Sequence, residues 1–424
     1  MKNYLNNLAK EIRDLVYLAR DISSRNNLPA YLVGGFVRDL LLGVKNLDLD
    51  FVVEQDAIRL AQDFAQRLNA HLIRHKRFRT ATVILRPNFK VDFATARRES
   101  YPYPAALPLV TSGSLRDDLF RRDITINAMA ISINSKNFGQ LIDFFGGKDD
   151  LKNKKIRILH SLSFIDDPTR ILRMIRFAQR YNFRIEPKTL ACLKEALNMR
   201  MLDRIQPQRV RNELILLLKE EEPWKQIKRL QRLVGLKFIS PHLSLSQNNY
   251  ILLNAIQSQI SRFKKNYPAR RQLDSWLIYF IGIMDALKPN DIKLVCKKFV
   301  FPKGDERRML SFHSSCHKVI SSLGKNKVSP VKIFNLLEPL TYEVTLLIKA
   351  KAKSSNVKRH MENYLKIYNG MRICISGDDL HKLGIKPGPY YEKIFKRVLK
   401  ARLKGLVRTK EDELALISRL IKKQ

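Results

Sequence analysis

The sequence predicts an α+β multidomain protein, with a small mixed β-sheet in an N-terminal part and all-α segments after it. Three observations predict this. Strand-like runs alternate with helix-like runs up to about Gly147, and strand signals fade after Asp167, where long helical patterns take over. The third is size: 424 residues, 45% hydrophobic and 28% charged, can bury more than one core and suggest roughly two to four domains.

Taken in order, the first segment, MKNYLNNLAKEIRDLVYLARDI, predicts an amphipathic helix. Acids interrupt each of its apolar runs, so it lacks the apolar core of a signal peptide. The runs AYLVGG, LDLDFVVE, TATVIL, FKVDFATA and ITINAMAISI are rich in β-branched and aromatic residues and predict strands. Between them, DAIRLAQDFAQRLNA sets Ala57, Leu60, Ala61, Phe64 and Leu68 at helical spacing. Beyond Asp167 the helical patterns are broken by Pro- and Gly-containing stretches such as FVFPKGD and LGIKPGPYY.

Charge is the informative part of the composition. The 79 Lys and Arg against 40 Asp and Glu give a formal net charge of +39. A surface that basic attracts a polyanion, because each neutralised phosphate releases counterions. A uniformly basic proteome would give the same bias. Cys192, Cys296, Cys316 and Cys374 form no C-x-x-C pair, which argues against a zinc ribbon and a disulfide framework and fits a reducing compartment. His313, Cys316 and His317 lack a second ligand pair and predict a helix surface rather than a metal site. No run is long enough for a membrane span, and the expectation is a cytoplasmic protein with no membrane partner.

Asp48 and Asp50 fall two apart in NLDLDFVVE, so in a strand both carboxylates share one face while Leu47, Leu49 and Phe51 face a core. Such a pair suits Mg²⁺, which takes oxygen ligands; an ordinary half-exposed strand would look the same. Upstream, strand Tyr31–Val33 runs into Gly34-Gly35 and a short helix stopped by Gly43. A glycine pair between strand and helix lets backbone approach a phosphate, and Arg38 would project from that helix as a clamp; a tight turn without ligand is the alternative. Asp92 in FKVDFATA reads equally as a third carboxylate of the site or as a solvent-facing strand residue. Arg121, Arg122, Asp123 and Asn127 in RRDITINAMAI suit triphosphate and ribose, or form a charged loop. Gly146-Gly147 reads as a turn, with Asp143 before it structural or at a domain contact. In DDPTRILRMIRFAQR, Pro168 fits the first helical position with Asp167 as its cap, a role that would by itself explain that acid. Arg170, Arg173, Arg176 and Arg180 then share one helix face beside an apolar stripe of Ile171, Met174, Ile175 and Ala178. No acid lies between Asp167 and Glu186 to compensate them.

These segments occur together and in one order. LVGGFVRDLLLGVKNLDLDFVV resembles motif A of the class II tRNA nucleotidyltransferase (CCA-adding enzyme) and bacterial poly(A) polymerase family. RRDITINAMA resembles its motif B, DFFGGKDDLKNKKIR its motif C, and DDPTRILRMIRFAQRYNFRI its motif D and neck helix. The segment from Ile375 to Leu414 is similar to its tail. The resemblance implies a nucleotidyltransferase head over 1–150, a helical neck over 151–220, a body over 221–345 and a tail over 346–424. It implies an enzyme that adds CCA to the 3′ end of tRNA from CTP and ATP without a nucleic-acid template, contacting the acceptor arm. Asp48 and Asp50 would bind Mg²⁺ as the catalytic pair. Gly34, Gly35 and Arg38 would hold the triphosphate; Arg121, Arg122 and Asp123 would read ribose and place the nucleotide. Asp167 and Arg170 would hydrogen-bond the base edge. Motif D usually opens Glu-Asp, and here it is Asp166-Asp167. RRESYPYPAALPLVTSGSL corresponds to a flexible loop of the family. The same motifs serve A-adding enzymes and poly(A) polymerases, and a non-catalytic RNA-binding protein on this scaffold is the alternative of another class. A dinucleotide-binding fold is disfavoured by the lack of G-x-G-x-x-G. Lys393–Lys404 is the expected tRNA contact of the tail, and oligomeric state is open.

Overall fold

A computed structural model describes residues 3–6, 8–44, 48–87 and 89–421, which divide into two compact units. The first runs through Glu220 and adds Arg232–Val234; the second comprises Glu221–Gln231 and everything from Gly235 onward.

The first unit carries strands β1 (Ala30–Val33), β2 (Leu49–Val53), β3 (His71–His75), β4 (Thr80–Arg86), β5 (Phe89–Thr95), β6 (Arg97–Ser100), β7 (Leu109–Ser112), β8 (Ala130–Ser132) and β9 (Leu141–Ile142). Seven of them form one mixed sheet in the order β3-β4-β5-β2-β1-β8-β9, in which β2 and β5 are parallel. Its helices are α1 (Lys10–Arg25), α2 (Gly35–Leu42), α3 (Ala57–Arg67), α4 (Leu115–Phe120), α5 (Gly147–Lys152), α6 (Ser163–Asp166), α7 (Thr169–Arg180), α8 (Pro187–Asn198), α9 (Met201–Arg204) and α10 (Pro207–Leu218).

Strand alternation sets which face of the sheet is dry. Leu49 and Phe51 of β2, with Val91 and Phe93 of β5, are at most 1% exposed. Phe51 stacks on Phe93 at 5.1 Å between ring centres, and Phe64 of α3 meets Phe93 edge-on at 5.2 Å. Asp56 caps α3 by accepting from the amides of Ile58 and Arg59. Leu60, Ala61 and Phe64 are buried as the spacing predicts, but Ala65 takes the place expected for Leu68, which is 37% exposed. Of the residues expected to face the core around the aspartates, Leu47 lies outside the described residues.

Four expectations change. The run 124–133 is a strand only over Ala130–Ser132, because Thr125–Asn127 form a 3-10 turn. Side chains hold that turn: Asp123 Oδ1 accepts from the Ile124 amide and from Asn127 Nδ2, and Thr125 Oγ1 donates to Asp150. The edge strand β3 was not expected from its polar sequence. The Pro-rich segment after Arg97 pairs its two ends as the ribbon β6–β7. A further strand pair, β10 (Lys155–Ile156) with β11 (Arg184–Ile185), reaches beyond Asp167.

In the second unit every described regular element is helical. Helix Ser275–Met284 has eight consecutive buried residues from Leu277, and the wholly buried Glu343 pairs with Arg271 at 2.6 Å. Toward the C-terminus Leu380, Ile394, Val398 and Ile417 make a small core of their own. Among the described residues no helix is long and apolar enough to cross a membrane.

Candidate active site

A cavity of about 550 Å³ opens in the first unit, and its wall contains nine arginines against six acids. That volume falls in the range of ligand sites. Every candidate from the sequence reaches this wall except Asp92: Gly34, Gly35, Arg38, Asp48, Asp50, Arg121, Arg122, Asp123, Asn127, Asp167, Arg170, Arg173 and Arg176 all line it.

Strand β1 delivers the chain to Gly34, whose φ of 69° and ψ of −129° suit only glycine, and α2 starts at the next residue. A Cβ on Gly34 would stand 2.6 Å from Arg122 Nη1, so the missing side chain is what lets that guanidinium lie against the turn. Gly43 ends α2 in the left-handed conformation, as predicted. The second glycine pair differs: Gly146 is left-handed, and Asp143 accepts from the amides of Phe145, Gly147 and Lys148, so this acid closes its own turn.

Asp48 precedes β2 and Asp50 lies within it, both on the cavity. Burial pushes the Asp50 carboxyl up to about 6; Arg122 opposes the rise, and Asp92 and Asp48 add to it. Crowded carboxylates that resist ionising together are the donor set a divalent cation relieves, and their oxygens match a hard ion. Asp92 is the register partner of Asp50, but its two oxygens accept from Thr82 Oγ1 and Lys90 Nζ, each at 2.5 Å.

The arginines are held differently from the sequence expectation. Arg38 does not project from α2: it is 3% exposed, donates to Asp39 and Asn127, and lies against the rings of Phe177 and Tyr181. Arg121 grips Asp118 with Nε and Nη2 at 2.9 and 2.6 Å, and Arg122 takes the other oxygen at 3.0 Å. Burial opposes the Asp118 charge, yet Arg122 and Arg121 together hold its pKa below the usual carboxylate range. Asp123 is likewise buried and kept low, by Arg173, Asn127 and the Ile124 amide.

The arginine face of α7 is compensated after all, because its acids come from α10. Arg173 bridges Asp123 at 2.9 Å and Glu213 at 3.4 Å; Arg176 reaches Glu213 and Glu220; Arg180 meets Glu220 at 2.5 Å. Arg170 is 4% exposed and donates to Ser163, to the Arg121 carbonyl at 2.7 Å and to Tyr101. Beside it, burial and the Arg170 charge push His160 down to about 4, so the imidazole is neutral at pH 7. Helix α7 begins at Thr169, one residue later than expected. Asp167 is extended and binds the amide and hydroxyl of Thr169 through Oδ1, while Oδ2 accepts from Arg209 of α10 at 2.8 Å. The sequence reading missed Glu99, Asp118, Arg209, Glu213 and Glu220. Asp118 stands three and four residues before Arg121 and Arg122, the spacing of paired charges on a helix, and that signal could have found it. Outside this wall, no described group of three or more His, Cys, Asp or Glu is arranged to hold a metal, and Cys316 is a buried helix residue.

The comparisons agree with this geometry. A family model described as the poly A polymerase head domain matches residues 30–157, and one described as the probable RNA and SrmB-binding site of polymerase A matches 182–245. The chain belongs to the tRNA nucleotidyltransferase and poly(A) polymerase family. It is 38% identical over 416 residues to an A-adding tRNA nucleotidyltransferase of Geobacter sulfurreducens, covering 96% of this chain and 47% of that protein. It is 34% identical to an A-adding tRNA nucleotidyltransferase of Halalkalibacterium halodurans, covering 93% of this chain and 89% of that one. The chain thus spans about half the length of the first of these relatives and most of the second. A Thermotoga maritima CCA-adding enzyme complexed with tRNA superposes with a TM-score of 0.75 at 32% identity, over 99% of this chain and 97% of that one.

Proposed function

We propose that the protein transfers single nucleotides from nucleoside triphosphates to the 3′ end of tRNA, and that its particular task is the terminal A. The observation that carries the transfer is the joining, in one cavity, of the Asp48/Asp50 pair with an arginine-dense wall next to a glycine turn. The A-adding reading follows the two relatives that match along most of this chain and bear that name. Full CCA addition from CTP and ATP is the second reading, favoured by the likeness to the Thermotoga enzyme over nearly the whole chain.

Asp48 and Asp50 would hold Mg²⁺, which when bound lowers the cost of charge on the attacking 3′-hydroxyl and the departing pyrophosphate. The remaining work belongs to the chain. Arg122, against Gly34, and Arg121 present guanidinium edges to the triphosphate, and the buried Asp118 fixes both. Arg173 and Arg176 add positive charge from α7, with Arg173 oriented by Asp123. Arg38, backed by Asn127 and two aromatic rings, makes a rigid floor. Asp167 and Arg170 offer an acceptor and a donor to the base edge. A carboxylate accepts from the exocyclic amine that A and C share, and U and G leave it unpaired, which costs about 1–3 kcal/mol per buried group. Residues 1–150, 151–220, 221–345 and 346–424 would act as head, neck, body and tail, with the exposed cations of Pro389–Leu403 touching RNA backbone.

The test is an addition assay on tRNA transcripts ending at the discriminator base, at C and at CC, with CTP, ATP or both. A alone, and only on the CC end, fits the first reading; CCA on the shortest transcript replaces it with the second. Long A tails on unrelated RNA would overturn both, and no addition would leave RNA binding without catalysis.

A further inference from the structure

The third carboxylate near the site has a different status from the other two. Asp92 stands beside Asp50 in the parallel register of β2 and β5, and strand alternation puts both on the face opposite Phe51 and Phe93. By position alone it could join Asp48 and Asp50 on a cation. Its oxygens are otherwise engaged: Thr82, across the antiparallel β4–β5 pair, donates to Oδ1, and Lys90, two residues back on the same face, donates to Oδ2. The Lys90 and Asp92 side chains are 54% and 34% exposed, and Asp92 is not part of the wall that Asp48 and Asp50 line.

We propose that Lys90, with Thr82, diverts Asp92 from the metal site, so that a divalent cation there is held by two carboxylates of this chain rather than three. Lys90 is thereby a positioning residue that sets the charge and ligand number of the site. This rests on the reading of Asp48 and Asp50 as the cation pair. The physical argument is one of competition. An ammonium two residues away on the same strand face is always present at high effective concentration, whereas a divalent ion must be recruited from solution. A carboxylate already neutralised by Lys90 and bonded to a hydroxyl gains less from that ion than Asp50, which is buried among like charges. The expected consequence is a loosely held ion that the incoming triphosphate completes, since Mg²⁺ is normally shared between one or two carboxylates and substrate phosphates.

The test uses the full chain, freed of metal by chelation and titrated with Mn²⁺, whose free concentration is read by electron paramagnetic resonance; no turnover is required. Asp50→Asn is expected to weaken Mn²⁺ binding by about tenfold or more, and Asp92→Asn by less than about threefold. Lys90→Met is expected to tighten binding by about tenfold, by freeing one carboxylate. The double variant Lys90→Met/Asp92→Asn discriminates recruitment of Asp92 from simple removal of a positive charge. Return of its affinity to near that of the parent supports diversion; persistence of the gain overturns it. A loss in Asp92→Asn as large as that in Asp50→Asn also overturns it, because Asp92 would then be a ligand already. If Asp50→Asn binds Mn²⁺ unchanged, the carboxylate pair is no cation site, and this inference falls with that reading. Thermal melts of each variant separate lost binding from lost fold.

Discussion

Replacing Gly34 with alanine should injure both the fold and the nucleotide site, and the two injuries can be separated. At φ 69° and ψ −129° a side chain strains the backbone by about 1–3 kcal/mol. The new Cβ would also lie 2.6 Å from Arg122 Nη1, about 1 Å inside normal contact, so the guanidinium must move. It cannot move freely, since its Nη2 holds the buried Asp118 at 3.0 Å. Breaking that charged hydrogen bond adds about 1.5–3 kcal/mol. Gly43→Ala is the matched control: φ is 72°, nothing lies within 4 Å of its Cβ, and the expected loss is only the left-handed strain of about 1–2 kcal/mol. Calorimetric melting and equilibrium binding of a non-hydrolysable ATP analogue read the two effects. Gly34→Ala should melt lower than Gly43→Ala and bind the analogue at least about tenfold more weakly, while Gly43→Ala binds normally. Equal behaviour of the two variants in both assays would refute the argument that the glycine exists to seat Arg122.

Asp50 predicts a pH effect in metal-free protein. Its folded pKa of about 6 is above the ordinary 3.8, so its contribution to stability is present below pH 3.8 and lost as pH rises through 6. Asp50→Asn should therefore be more stable than the parent at pH 7.5 by up to about 3 kcal/mol, with the gap closing toward pH 4; parallel melting profiles would contradict this. Arg209→Ala should release Asp167 and relax choice among nucleotides by roughly tenfold while sparing triphosphate affinity, as read from competing rates with ATP, GTP and UTP. Unaltered selectivity would mean Arg209 only braces α10. Asp118→Asn should weaken triphosphate binding, because Arg121 and Arg122 lose their shared anchor at a cost of about 3 kcal/mol or more; an unchanged dissociation constant would count against it. Reversing charge at Lys396 and Arg397 should weaken tRNA binding and flatten its salt dependence, leaving the tail core of Ile394 and Val398 intact.

Much of this architecture is legible in order along the chain. Period-two alternation in LDLDFVVE decides that Asp48 and Asp50 share a face and that Leu49 and Phe51 are buried, because adjacent strand residues point oppositely. The strand-Gly-Gly-helix turn and the helical arginine face of α7 are local as well, and both stand where their spacing put them. Where periodicity failed, a side chain outbid the backbone pattern, as Asp123 did in turning Thr125–Asn127 away from a strand.

Partnership was decided only in three dimensions. Nothing near Arg173, Arg176 and Arg180 in the sequence announces Glu213 and Glu220, which arrive from α10 about forty residues later. Arg38 looks like a free clamp until two aromatic rings and Asn127 close on it, and Asp167 looks like a helix cap until Arg209 reaches it. By itself the sequence determined which groups exist and on which face of each element they stand, since local geometry obeys short periods. The tertiary structure decided which charges neutralise one another and which remain for a ligand, since Coulomb interactions depend on distance and burial, and neither is written in the order of residues.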